Sequence, residues 1–300
     1  MWSNLVPQVH TQSKSLCIVC GSNRWHNVPS VTRVIRSLFE PARVVRCGRC
    51  GLGRLEPLPT RSAVQSVYSS NAYTESYDAA GQDFVVSEES AAQQLAPRFV
   101  RLASYLSNKG KILDIGASRG VFLQQAASQG WSPFGLEAGL DTIAYAKEHF
   151  GIEIQHGTLE ETPLPAAFYD CVHMSHVLEH LHDPLSSMRQ ISQTLKAGGV
   201  MIVEVPFEYG DLFDRIRELV LRRPRNVNRV PSSHLYFFTV SSLCRLLTES
   251  GFDILYAATP RRNQSLDSRL PMGQWIKRAV YRMEQFLNMG PLIEVFARKK

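Results

Sequence analysis

The densest chemistry in the chain lies in Lys111-Ile-Leu-Asp-Ile-Gly-Ala-Ser-Arg-Gly120, followed by Glu137. Lys111 to Ile115 reads as a buried strand, Gly116 to Gly120 as a tight turn, and Val121 to Ser128 as the opening of a helix. Glycine lets backbone approach a ligand because no Cβ stands in the way. An acid at the tip of the next strand, Ser132-Pro-Phe-Gly-Leu-Glu137, can accept hydrogen bonds from both hydroxyls of a ribose. Turn plus acid predict a nucleotide-like ligand across the carboxyl ends of a parallel sheet.

Three chemistries use such a turn. A dinucleotide site wants G-x-G-x-x-G, and this chain offers Gly116, Ser118 and Val121 in those places. A hydrolase elbow, G-x-S-x-G, is matched by Gly116-Ala-Ser118-Arg-Gly120, with Asp170 and His234 following in the order of a triad. That fold needs several strands before its elbow. The preceding residues carry no such succession, and Glu137 would have no role. In the third, S-adenosylmethionine binding, Asp114 and the turn face the amino-acid end of the cofactor and Glu137 holds its ribose.

A second pattern is metal-like. Cys17-Ile-Val-Cys20-Gly and Cys47-Gly-Arg-Cys50-Gly are two C-x-x-C knuckles of the kind that gather four thiolates around structural zinc. Cys171 and Cys244 read as small core residues.

The elements that must position these groups follow from periodicity. Strands are expected near 111–115, 132–136, 152–156, 169–174 and 200–205, with helices near 119–129, 140–150 and 184–195 between them, which argues a parallel sheet. Asp183 and Pro184 read as the cap and first residue of the last of these helices. Before the sheet, Thr60 to Tyr68 reads as a helix, and Glu88 to Ser107 as a longer one interrupted near Pro97. After it, Leu235 to Phe238 is short and extended, and Thr239 caps a helix to Ser250. Phe252 to Thr259 and Leu292 to Arg298 look like the last strands, with a helix over Trp275 to Leu287 between them. Val31 to Ile35 and Arg43 to Val45 supply the strands of the cysteine module.

Asp114-x-Gly116-x-x-x-Gly120, Glu137, Phe168-Tyr-Asp170, His176-Val-Leu-Glu-His-Leu-His-Asp-Pro184 and Leu195-Lys-Ala-Gly-Gly199 together resemble the class I S-adenosylmethionine-dependent methyltransferases over about residues 108–206. The resemblance implies an α/β fold: a Rossmann-like, mostly parallel sheet of seven strands with the last antiparallel, joined to a small N-terminal zinc ribbon. It implies cofactor contacts from Asp114, Gly116, Ala117, Gly120, Glu137, Leu159 and Met174. Two departures stand out: Ser118 replaces the middle glycine of the usual turn, and Thr158 replaces an acid often found on the adenine side.

The knuckles, the phrase Cys50-Gly-Leu-Gly-Arg-Leu-Glu-Pro-Leu-Pro, Tyr68, Tyr73 and Tyr77, and His234-Leu-Tyr-Phe-Phe-Thr239 resemble a narrower group. These are bacterial methyltransferases with an N-terminal zinc ribbon, including sugar C-methyltransferases. The expected organisation is a ribbon over 15–59 with Cys17, Cys20, Cys47 and Cys50 on structural zinc, a helical connector over 60–107 covering the active site, and a methyltransferase domain over 108–300 with a lid-like insertion at 207–234. In that group a histidine in a similar segment is the base, which maps onto His234. Pro231-Ser-Ser departs from the acidic, histidine-rich version that precedes it in the sugar enzymes.

Methyl transfer is an in-line displacement on an already activated donor, so alignment does most of the work. An oxygen or carbon acceptor must also lose a proton, and histidine is the natural base. His234 is the first candidate. His173 and His176 end the fourth strand facing the donor, and His176 is the second catalytic candidate. Glu179 and His180 read as local structure.

An apolar share of 44% permits a full core, and the net charge of +6 suits an anionic partner. The arginine run Arg215, Arg217, Arg222, Arg223, Arg225 and Arg229 reads as a solvated face or as a grip on phosphates. The expected acceptor is a small molecule such as a nucleotide-linked sugar or glycan. RNA methylation, and a non-catalytic scaffold with a decayed cofactor site, are the alternatives. No apolar run is long enough to span a membrane, no signal peptide is evident, and a cytoplasmic location is expected.

Overall fold

The computed structural model describes residues 16–28, 36–37, 39, 42–69, 88–209, 231–261 and 274–300. The expected strand at Val31–Ile35, Tyr73, Tyr77 and the arginine run lie outside the described residues.

The chain opens with β1 (Trp25–Asn27), β2 (Arg36–Ser37), β3 (Arg43–Cys47) and β4 (Gly53–Glu56), followed by α1 (Arg61–Ser69) and α2 (Glu88–Tyr105). Alternation then begins: β5 (Lys111–Ile115), α3 (Val121–Ser128), β6 (Ser132–Glu137), α4 (Leu140–Phe150), β7 (Gln155–His156), β8 (Tyr169–Ser175), α5 (Pro184–Thr194) and β9 (Leu195–Pro206). A 3-10 turn, Leu178–His180, sits between β8 and α5. The chain closes with β10 (Pro231–Ser232), β11 (Tyr236–Phe237), α6 (Val240–Glu249), β12 (Phe252–Ala258), α7 (Gln274–Leu287) and β13 (Leu292–Lys299).

Seven strands form one sheet in the order β12-β13-β9-β8-β5-β6-β7. Only β13 runs against its neighbours; β5 pairs in parallel with both β6 and β8. The mostly parallel seven-stranded architecture expected from the sequence is the one observed. Central strands buried on both faces need near-continuous apolar runs, and Ile112, Val172, Ile202 and Val203 are fully buried. Each such side chain contributes about 1.5–3 kcal/mol relative to exposure.

From β5 the chain winds outward through β6 and β7, then returns to β8 and winds the other way. The order reverses between β5 and β8, and a crevice outside their carboxyl ends is where doubly wound sheets bind ligands.

Two expectations are corrected. The strand over 152–156 shrinks to β7, an edge pair reaching only Leu136 and Glu137, because the left-handed Gly151 cap (φ 66°) ends α4 and Ile154 is drawn into the core. Pro97 does not interrupt α2. An interior proline forfeits a hydrogen bond, but Arg98, Phe99 and Leu102 on the inner side of α2 are all buried. Stacking of Phe99 on Phe122 further fixes α2 against α3.

The cysteine module is not closed on itself. Its sheet runs β1-β3-β4-β11, so Tyr236 and Phe237 complete it from far downstream. One apolar cluster runs from Cys17 and Leu52 through Tyr236 and Phe238 to Val203.

Candidate active site at the carboxyl edge of the sheet

The turn after β5 has the backbone its sequence demands. Gly116 (φ 74°) and Gly120 (φ 77°) are left-handed, and a Cβ on Gly116 would lie 2.2 Å from Cγ2 of Val177. Ser118, in the middle-glycine position, is also left-handed (φ 48°). The Ser118 N–H donates to Oε2 of Glu137 at 2.7 Å, and the Gly139 N–H to Oε1 at 2.8 Å. Each carboxylate oxygen keeps a further acceptor site for a ribose hydroxyl, so turn and acid fit the expected cofactor. Ala117, Leu159 and Met174 are buried, and Met174 lies beside Ile115 on the neighbouring strand.

Asp114 lies beneath the turn, 3% exposed, and is not alone. The buried Arg98 guanidinium donates Nη1–H to Nε2 of His173, so the opposite nitrogen carries the proton that His173 donates to Oδ1 of Asp114 at 2.6 Å. Arg98 also meets Glu204 at 2.7 Å and Glu294 at 2.8 Å, and Ser175 Oγ donates to Glu204 at 2.9 Å. Burial alone would lower the pKa of Arg98, but the two glutamates raise it. Burial lowers that of His173 against the pull of Asp114. One guanidinium thus meets two carboxylates directly and a third, Asp114, through the imidazole of His173. The excess negative charge suits a ligand carrying sulfonium and ammonium groups. His173 therefore does not face the donor; it is a buried link under the donor site.

Beyond β8 the chain turns sharply at His176 (φ 56°), which is exposed, and enters the 3-10 turn carrying Glu179 and His180. Glu179 is fully buried, and neither of its oxygens accepts a hydrogen bond among the described residues. Its Oε1 is ringed by His176 Nδ1 at 3.5 Å, His180 Nε2 at 3.8 Å and His234 Nε2 at 3.9 Å. The far nitrogen of His234 pairs with Glu208 Oε1 at 2.8 Å, and that of His180 with Ser233 Oγ at 3.1 Å. Burial would raise the Glu179 carboxyl, but the surrounding imidazoles hold it at about 2. Burial would lower His234, but Glu208 and Glu179 push it up to about 9.

The four-stranded sheet of the cysteine module places His234. The Leu235 N–H donates to the Glu179 carbonyl at 2.8 Å, and the Leu55 N–H to the Leu235 carbonyl at 2.9 Å, immediately before β11 joins β4. Val177, one residue past His176, covers Gly116, so the histidine cluster adjoins the cofactor turn.

The four cysteines of the two knuckles converge. Cys17 and Cys50 sulfurs lie 3.5 Å apart, as do Cys20 and Cys47, and all four lie within 4.8 Å of one another. None is in a disulfide. Thiolates on tetrahedral zinc at about 2.3 Å require a spacing of this order, so the set fits the ion.

The structure thus brings His176 and His234 to one carboxylate and ties Glu137 to the turn after β5, with Met174 on the adjoining strand. Sequence reasoning missed Arg98, Glu204, Glu208 and Glu294. The one local signal was Arg98 on the apolar face of α2 beside Phe99 and Leu102. Glu179, read as local structure, lies at the centre of the histidine cluster.

The fold and the turn-plus-acid site define a class I methyltransferase domain. A family model described as a methyltransferase domain matches residues 87–257, more than half of the chain, and the chain belongs to that family. Among curated proteins it is similar to an Escherichia coli O7:K1 ubiquinone biosynthesis O-methyltransferase, 35% identical over 95 residues, covering 30% of this chain and 40% of that one. It is also similar to an Aeromonas salmonicida protein of the same name, 26% identical over 151 residues, covering 47% and 62%. The chain thus spans less than two thirds of the length of either relative. Its fold matches a SAM dependent methyltransferase from Archaeoglobus fulgidus at TM-score 0.53 and 20% identity, covering 74% and 99% of the two chains. It matches one from Thermotoga maritima at 0.51 and 18%, covering 79% and 99%. Among the described residues no helix is long and apolar enough to cross a membrane.

Proposed function

We propose that the chain transfers the methyl group of S-adenosylmethionine to an oxygen or carbon of a small, hydroxyl-bearing metabolite. The sequence resemblance to ribbon-bearing sugar C-methyltransferases favours a sugar or a nucleotide-linked sugar as acceptor; the names of the curated relatives favour oxygen as the atom. One observation carries the reading. The imidazole and carboxylate cluster of His176, Glu179, His180 and His234 begins one residue from Val177, whose side chain covers Gly116 of the cofactor turn.

The bound cofactor supplies a methyl group on a sulfonium carbon. The chain's own residues do the rest. Glu137 would hold the ribose hydroxyls, the Gly116–Gly120 turn would admit the amino-acid portion, and Asp114, fixed by His173, would offer its carboxylate to the ammonium group. As the acceptor's bond to the methyl carbon forms, the carbon–sulfur bond breaks and the acceptor proton must leave. Activation of the acceptor turns on His234, oriented by Glu208 and with its pKa raised to about 9. Its simplest form is the imidazole, once it has lost its own proton, taking the acceptor's proton, so that transfer rises with pH toward that value. The four cysteines would hold a structural zinc, closed by four sulfurs, that supplies no chemistry to the transfer.

The test is calorimetric titration with S-adenosylmethionine and S-adenosylhomocysteine, then transfer of labelled methyl to nucleotide sugars, phenols and RNA, with His234→Gln alongside. Micromolar or tighter cofactor binding, with transfer to a small acceptor lost in His234→Gln, is expected. No binding of either ligand would overturn the proposal. Transfer to RNA alone, with binding that falls steeply with salt, would replace it.

A further inference from the structure

We infer that Glu179, His180 and His234 form a site for a divalent first-row transition cation, separate from the four cysteines and facing the acceptor. It deepens the methyltransferase reading above and rests on it for its role.

A carboxylate oxygen of Glu179 and one nitrogen from each of His180 and His234 lie within 4.8 Å of one another. Bonds of about 2.0–2.2 Å to one ion bring such atoms to mutual distances of about 3 to 4 Å, near the 3.8 and 3.9 Å found here. A fully buried carboxylate is ordinarily hydrogen-bonded, yet among the described residues neither oxygen of Glu179 accepts a hydrogen bond. A simple imidazolium–carboxylate pair closes to about 2.7–2.9 Å. His234 does this with Glu208 at 2.8 Å, whereas the nitrogens around Glu179 stand off by 3.5 to 3.9 Å.

The second nitrogen of each imidazole is also spoken for. His234 Nδ1 is held by the Glu208 carboxylate and His180 Nδ1 by Ser233 Oγ. A ligand histidine oriented through its far nitrogen by a carboxylate is the usual second layer of a metal site. Two imidazoles favour a transition ion such as zinc or iron over magnesium or calcium, and the carboxylate also admits manganese, more weakly. Three protein ligands leave a position for an acceptor oxygen, with the exposed His176 at the rim. In this arrangement His234 activates the acceptor as a ligand of the cation, in place of taking its proton on Nε2.

The test uses the full chain, stripped by chelator and reloaded with one equivalent of zinc to fill the cysteine site. Mn²⁺, which thiolates bind poorly, is then titrated by calorimetry and electron paramagnetic resonance. One Mn²⁺ per chain is expected, with affinity lowered at least about tenfold in Glu179→Gln and in His234→Asn. S-adenosylhomocysteine binding reports that each variant is folded. Should both variants fail to fold, Glu208→Gln takes their place and is expected to weaken Mn²⁺ about 10- to 100-fold. No Mn²⁺ binding, or binding undiminished in the folded variants, would overturn the site. Mn²⁺ binding that is lost in the variants, without methyl transfer to any acceptor, would sustain the site and sink the proposed function. Full transfer by the chelated, zinc-reloaded protein would sink the cation's role and leave that function standing.

Discussion

His173 donates to Asp114 across a 2.6 Å hydrogen bond, while its ring lies parallel to that of Phe122 with centroids 3.7 Å apart. The imidazole is thus fixed in its plane by stacking and in its tautomer by Arg98 on the other side. Asp114 cannot swing away from the cofactor turn without breaking that bond. His173→Phe keeps the stacking surface and removes the bond. It is expected to weaken S-adenosylhomocysteine binding while leaving Mn²⁺ binding at the histidine cluster unchanged. Calorimetry on the two ligands checks this, and unaltered cofactor affinity would refute the positioning role.

Arg98 carries the heavier load. Its guanidinium meets Glu204 and Glu294, both about 95% buried or more. Truncation of one partner leaves carboxylates buried without a counter-ion, and such losses cost about 3–5 kcal/mol. Arg98→Met should therefore lower stability by that order in a denaturant melt. A loss below about 1 kcal/mol would mean that water or a rearranged side chain already screens the glutamates.

Much of the frame was legible. β5 begins and ends where the apolar run Lys111 to Ile115 predicted, because a central strand buried on both faces leaves little latitude. Asp183 caps α5 with Pro184 at its first position, and Thr239 caps α6, because capping is written within four residues. The Arg98 network was not legible. Its members are drawn from α2, β5, β8, β9 and β13, and each alone reads as an ordinary surface charge or strand-end polar residue. Only the sheet order brings Glu204 opposite Glu294 and Asp114 opposite His173. The surroundings of Glu179 were illegible for a related reason: its three histidines come from its own stretch of chain and from a segment more than fifty residues on.

Glu137 holds the N–H groups of Ser118 and Gly139, so it shapes the turn as well as offering acceptors to a ribose. Hydrogen bonds to a charged group contribute about 1.5–3 kcal/mol each. Glu137→Ala is expected to weaken cofactor binding at least about tenfold, a loss of 1.4 kcal/mol or more, while the zinc content stays at that of the parent. An unchanged dissociation constant would remove Glu137 from the site.

Asp170 gives a prediction in pH. Burial would raise its carboxyl, but the Lys196 ammonium at 2.8 Å and the Lys111 N–H at 2.8 Å outweigh burial and hold it below the ordinary carboxylate range. A depressed folded-state pKa adds stability above the unfolded value near 3.9, and that stability is lost as pH falls through the folded value. Asp170→Asn should therefore be less stable than the parent at neutral pH, with the gap closing on acidification below about 4. Denaturant melts across that range decide it; a gap that widens in acid would show that the ion pair is not what lowers the carboxyl.

The ribbon's contribution can be separated from the cofactor site. β11 pairs with β4, and Leu235 bridges Leu55 and Glu179, so the path from the cysteines to His234 runs through backbone hydrogen bonds. The path to Glu137 runs through β5 and β6 instead. A structural zinc supplies much of the folding free energy of so small a module. Cys47→Ser should therefore lose the metal of the cysteine site, lower the melting temperature, and slow methyl transfer. S-adenosylhomocysteine should still bind with near-parental affinity, because the β5 turn does not lean on the ribbon. Metal analysis, a thermal melt and the two functional assays on one preparation test all four. A metal-free Cys47→Ser protein with parental melting temperature and transfer rate would detach the ribbon from His234.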